Sequence, residues 1–200
     1  MKNLVFRLII LSAFLLLIFG VNSCRKKLDQ VTDTAIFVAN EDEGSVSVID
    51  ANTYNEVKRI RLKSSWIAGK KRVLMSHNIQ VSPNNQEVWV TGVPEDHGDK
   101  EQVLVIDPIK MKICERVKFK EHQHLAHVVL DDECQYAYVT SNSRGEVIQI
   151  STRSYEVKRR YYLGSGSGPH GLRFHRGKLY VANMNAQSLS IIDVAFNSIS

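Results

Sequence analysis

The sequence predicts an all-β protein built from repeated four-stranded antiparallel units. Three observations predict it. Four segments, opening at Phe37, Trp89, Tyr138 and Tyr180, share one pattern: an aromatic residue, a valine, a small residue, a polar loop, then an alternating apolar run that closes in Ile-Asp or Ile-Ser. The shared valines, Val38, Val90, Val139 and Val181, recur in steps of 52, 49 and 42 residues. After residue 24, period-two alternation with β-branched residues is everywhere, and no stretch carries helical spacing of its apolar side chains.

The chain opens on a targeting segment. Lys2 and Arg7 supply positive charge, and Leu8 to Phe19 is almost wholly apolar. That run is too short to cross ~30 Å of hydrocarbon as a stable helix and fits the apolar region of a secretory signal. Its tail, Gly20-Val21-Asn22-Ser23-Cys24, resembles the lipobox of bacterial lipoproteins, with an aliphatic residue at Val21, a small one at Ser23, then the cysteine. The resemblance implies cleavage before Cys24, lipid on its sulfur, and a membrane as partner. The mature protein would then sit in the bacterial cell envelope, facing the periplasm or the cell surface. The expected organisation is a signal at 1–23, a lipidated tether at 24–36 and the repeats at 37–200.

Charge excludes little but points away from nucleic acid. Without Lys2 and Arg7 the chain keeps 24 basic residues against 21 acidic ones, a mild excess near +3. Lysine and arginine do not cluster with aromatics in a nucleic-acid motif. Arg25-Lys26-Lys27 reads as a solvated tether beside anionic headgroups.

Each repeat carries the same elements in order. An inner strand A starts at a histidine: HNIQVSP (77–83), HVVLDDE (127–133) and HGLRFHR (170–176). Strand B follows (WVTG, YVTS, YVAN), then C (SVSVID, VLVID, VIQIS), then D (VKRIRL and its equivalents). Pro83-Asn84-Asn85 and Asp131-Asp132-Glu133 form the A–B turns. Asp50, Asp107 and Asp193 end strand C, where a carboxylate accepts backbone N–H groups and starts the C–D turn; Ser151 does so more weakly. Such four-stranded units at 40–50 residues are the sequence form of a β-propeller blade. The first unit lacks an A strand, and the fourth reaches Ser200 as D begins. About three and a half blades are thus expected, as the N-terminal part of a larger ring.

The motifs FVAN, WVTG, YVTS and YVAN, with SVSVID, VLVID and SPNNQEVWV, resemble the YVTN-repeat family over residues 37–200. That resemblance implies a propeller, commonly seven-bladed, of secreted, periplasmic or surface-layer proteins.

Propeller topology places the histidines. With D–A and B–C loops on the top face, His77, His127 and His170 ring the mouth of the channel. His122 and His124 lie above it on a D–A loop, and His97 lies on a B–C loop. Only His175 is at the bottom. Two readings stay open: hydrogen bonding to neighbouring backbone, or ligation of Cu, Zn or a haem iron by His77, His127, His170, His122 and His124. Cys114 on an outer D strand and Cys134 at an inner turn are too far apart for a disulfide, so two thiols are expected. No nucleophile–base pair or phosphate loop stands out. Glu101 and Glu146 read as solvated strand edges, and GSGSG at 164–168 as a flexible D–A loop. The sequence therefore points first to a binding scaffold that meets an unidentified protein or small molecule through its top face. The alternative is a metal- or haem-associated redox propeller, and a third, weaker reading is a lactonase-type hydrolase.

Overall fold

The computed structural model describes residues 34–67, 70–94 and 100–200. They are all strand, turn and loop, in four antiparallel sheets. Blade 1 contains β1 (Ala35–Asn40), β2 (Ser45–Asp50) and β3 (Glu56–Arg61), side by side in that order. Blade 2 contains β4 (Lys63–Ile67), β5 (Lys70–Val81), β6 (Val88–Pro94), β7 (Gln102–Asp107) and β8 (Lys112–Lys118). Blade 3 contains β9 (Leu125–Leu130), β10 (Tyr136–Ser141), β11 (Glu146–Ser151) and β12 (Val157–Tyr162). Blade 4 contains β13 (Pro169–His175), β14 (Lys178–Asn183), β15 (Ser188–Asp193) and the two-residue β16 (Ser198–Ile199).

The expected blades are present, with two differences. Blade 2 has five strands, because β4 pairs with the first residues of a long β5. His77 therefore lies well inside β5 rather than at its start. The first strand also begins at Ala35, two residues earlier than expected.

Alternation places the core between blades. Val46, Val48, Ile60 and Leu62 of blade 1 meet Leu74, Val90 and Leu104 of blade 2. Trp89, Val103 and Val105 meet Leu125, Val139 and Ile148 across the next seam. Val129, Tyr138 and Tyr161 meet Leu172, Val181 and Ile192 across the third. The middle strands are sandwiched on both faces, so all six residues of β7 and of β11 are buried. Removing one such leucine side chain typically costs ~2–5 kcal/mol, through lost transfer energy and the cavity left behind. The indole Nε1 of Trp89 donates to Glu87, whose other oxygen accepts the Tyr155 hydroxyl at 2.7 Å, so the large aromatic is buried with its polar edge satisfied.

The turns follow the repeat. Asp50 Oδ1 accepts the N–H groups of Asn52 and Thr53, Asp107 Oδ1 those of Ile109 and Lys110, and Asp193 Oδ1 those of Ala195 and Phe196. Ser151 Oγ does the same more loosely, at 3.3 Å. The residue four places on is left-handed each time: Tyr54, Met111, Tyr155 and Asn197 have φ between 50° and 58°. Cys114 lies on β8 and Cys134 in the β9–β10 turn, and no disulfide joins them. Cys24 and its lipobox lie outside the described residues.

Candidate functional site

The inner strands β5, β9 and β13 carry His77, His127 and His170, and each strand breaks register with its B strand at that residue. Ser76 pairs with Gly92 and Asn78 with Thr91, so His77 is an extra residue. Between Leu125 and Val128, and again between Pro169 and Leu172, two residues stand opposite one. These are β-bulges, and a bulge re-aims the side chain it carries. Each histidine of the ring thus sits on a bulge.

Threonines of the B strands lock the bulges together. Thr140 Oγ1 accepts the His127 N–H at 2.9 Å and donates to the His170 carbonyl of the next blade at 2.8 Å. Thr91 accepts the Asn78 N–H and donates to the Ala126 carbonyl at 2.7 Å. The Asn78 side-chain oxygen accepts the Val128 N–H at 3.0 Å. The third residue of the WVTG and YVTS motifs is therefore the stitch between neighbouring inner strands.

The imidazoles converge as a result. The rings of His77 and His170 are 5.2 Å apart, as are those of His127 and His170. His124 stands 6.5 Å from His77, and His122 stands 6.2 Å from His124. All five candidate histidines thus form one chain of rings. His97 lies outside the described residues, and His175 ends β13 at the edge of the opposite turn.

Two carboxylates orient rings of this chain, one at its His122 end and one at its middle. His77 Nδ1 donates to Glu41 at 2.7 Å, and His122 Nδ1 meets Glu101 at 2.7 Å. Because Nδ1 of His77 carries the proton in the neutral ring, its Nε2 presents a lone pair, and His170 Nε2 donates to it at 3.1 Å. Burial first, then the charges of neighbouring imidazoles, holds the pKa of both His127 and His170 below the usual histidine value. The His127 Nδ1 is buried without a hydrogen-bond partner among the described residues.

Glu101 corrects the reading as a solvated edge. It is only 2% exposed. Its carboxylate accepts the backbone N–H groups of Gln123, His124 and Leu125 at 2.7–2.9 Å. That grip holds His124 in a left-handed conformation, φ 49°, beside the rings of His77 and His122. Glu146 is also buried rather than solvated, and it pairs with Arg160. Both carboxylates are satisfied by partners that fold onto them. An open hollow of about 670 Å³, lined by His127, His170, Met184 and Leu189 among others, lies beside the ring on the blade 4 side. A second hollow of about 280 Å³ lies between Met75, Lys100 and His122. Among the described residues, no three histidine, cysteine or carboxylate side chains already surround one point as an ion would need.

No family model matches the chain, and no curated protein matches it. Solved structures do. The WD40 repeats of RRP9 match with a TM-score of 0.66 at 14% identity, over 84% of this chain and 47% of that one. A candidate 6-phosphogluconolactonase from Bacteroides uniformis matches with a TM-score of 0.63 at 15% identity, over 86% and 54%. Virginiamycin B lyase from Staphylococcus aureus matches with a TM-score of 0.63 at 13% identity, over 84% and 52%. At such identities the likeness shows the fold alone, that of a β-propeller. The chain spans about half the length of the solved propellers it matches.

Proposed function

We propose that this protein is a lipid-anchored envelope propeller that binds a protein or small-molecule ligand on its top face. The observation that carries the reading is the gathering of five histidines at one end of the channel, two of them oriented by carboxylates. The S. aureus lyase gives a precedent for a ligand on this fold: it is described with quinupristin, in a catalytically inactive histidine-to-alanine form. The lipobox-like VNSC supports the anchor.

The test is cross-linking in intact cells that produce the full chain, with adducts read by mass spectrometry. We expect His122→Ala combined with His124→Gly to lose adducts that His175→Ala keeps, and Cys24→Ser to move the chain out of the membrane fraction. An adduct pattern unchanged in the top-face variant rejects the binding face.

A further inference from the structure

We infer that His77 and His170 form a two-histidine grip for one transition-metal ion at the channel mouth. The proposal deepens the reading of the top face as a binding surface. Its geometry is independent of any ligand on that surface.

The two Nε2 atoms face each other at 3.1 Å. An ion at the usual ~2.0–2.1 Å from each nitrogen would see them at an angle of about 98°, between the square-planar and tetrahedral values. Each ring has to tilt so that its Nε2 lone pair points at the ion rather than at the facing nitrogen. The ion replaces the single proton shared between the two nitrogens, and in neutral His170 that proton moves to Nδ1. No net charge is lost from either ring.

The surroundings are those of a ligating imidazole. The carboxylate of Glu41 holds Nδ1–H of His77, which fixes the tautomer and makes Nε2 more basic, as carboxylates commonly do behind metal-bound histidines. The backbone of His170 is fixed by Thr140, and both histidines sit on bulges rather than on mobile loops. His77 remains 23% exposed at its side chain, so an ion can enter from solvent. His124 flanks His77 and His127 flanks His170, each with its ring within 6.5 Å of its neighbour. The buried, partnerless Nδ1 of His127 gains a purpose if that ring turns to donate its lone pair. Either ring could supply a third donor, and the remaining positions stay open to water or to a donor group of a bound partner.

Two imidazole nitrogens select the class of ion. They suit Cu(II), Ni(II) or Zn(II) and disfavour Mg(II) and Ca(II), which take oxygen donors. The channel mouth offers no thiolate among the described residues, since Cys114 and Cys134 sit on an outer strand and a bottom turn.

The experiment is titration of the full chain, in detergent micelles, with Cu(II) and separately with Zn(II), against a chromophoric chelator. We expect one ion per chain. His77→Ala and His170→Ala should each weaken it by about 100-fold, and Glu41→Gln by about 10-fold or more. His175→Ala should leave it unchanged, and Mg(II) should not compete. His77→Gln serves as a second variant of similar size should alanine disturb the fold, and it should weaken binding as His77→Ala does. The Cu(II) electron paramagnetic resonance spectrum of the wild type should carry the couplings of at least two imidazole nitrogens. Wild-type affinity in His77→Gln or His170→Ala, or no stoichiometric ion at all, overturns the grip. Cross-linked adducts that depend on His122 and His124 would survive that failure, so the two readings fail separately.

Discussion

At the scale of single residues, the sequence is most informative where a side chain talks to its own neighbours. Asp50, Asp107 and Asp193 reveal their role because the amides they accept lie two and three residues on. Glu101 hides its role because its amides lie 22–24 residues downstream. It stands where blades 1 and 3 have Gly44 and Gly145: in all three, the backbone carbonyl accepts the amide that leads into the D–A loop. Only the fold brings that loop back over it. The carboxylate gives each amide an acceptor that water would otherwise supply, and hydrogen bonds to a charged group contribute ~1.5–3 kcal/mol each. Glu101→Gln leaves one oxygen for three amides, and Glu101→Ala leaves none. We expect hydrogen exchange at Gln123, His124 and Leu125 to speed by about 10-fold in the first and about 100-fold or more in the second. Exchange in blade 1 should not change. Equal exchange at these amides in wild type and Glu101→Ala would show that the loop stands without the carboxylate.

Among the elements, the repeat made strands and turns legible, since each was confirmed by its copies. The β4 strand and the bulges were not legible. Residues 63–67 break the repeat and, among the described residues, pair only with an extension of β5, so no other blade offers a template for them. A bulge is a mismatch of register between two strands, and one strand's sequence does not carry it. The C–D turn is the element whose copies suggest an improvement. Its fifth residue is left-handed in all four blades, a conformation costing ~1–2 kcal/mol for most L-residues and less for asparagine. Blade 4 uses Asn197 there, whereas blade 1 uses Tyr54, which is 79% exposed and has little packing to lose. We expect Tyr54→Asn to stabilise the protein by ~0.5–1 kcal/mol and raise its melting temperature by about 1–4 °C. Met111→Asn should not help, because Met111 packs against the core between blades 1 and 2. Thermal unfolding of the two variants decides the matter. A drop in melting temperature for Tyr54→Asn would mean that its ring makes contacts worth more than the backbone strain.

At the scale of the whole molecule, the described residues bury apolar side chains at three seams, and among them nothing covers the outward faces of blades 1 and 4. Ile36 and Val38 are exposed on β1, and Met184 and Leu189 at 60% each on blade 4. The second edge of β1 also has no strand beside it among the described residues. Apolar surface and an open strand edge together favour pairing with whatever carries the same features. Each inner seam joins the two faces of neighbouring blades, so the outward face of blade 4 resembles the face that blade 3 offers to blade 4. Blade 1 of a second copy of these 200 residues offers the same kind of packing to blade 4. We expect the full chain, in density-matched detergent, to sediment as a concentration-dependent mixture of monomer and larger species. Val38→Lys with Leu189→Lys should shift it toward monomer, because two lysines cannot be buried against each other across that seam. The His77 and His170 pair lies within one chain, so the shift should leave metal affinity unchanged. Monomer at every concentration in the wild type would show that these outward faces do not drive association.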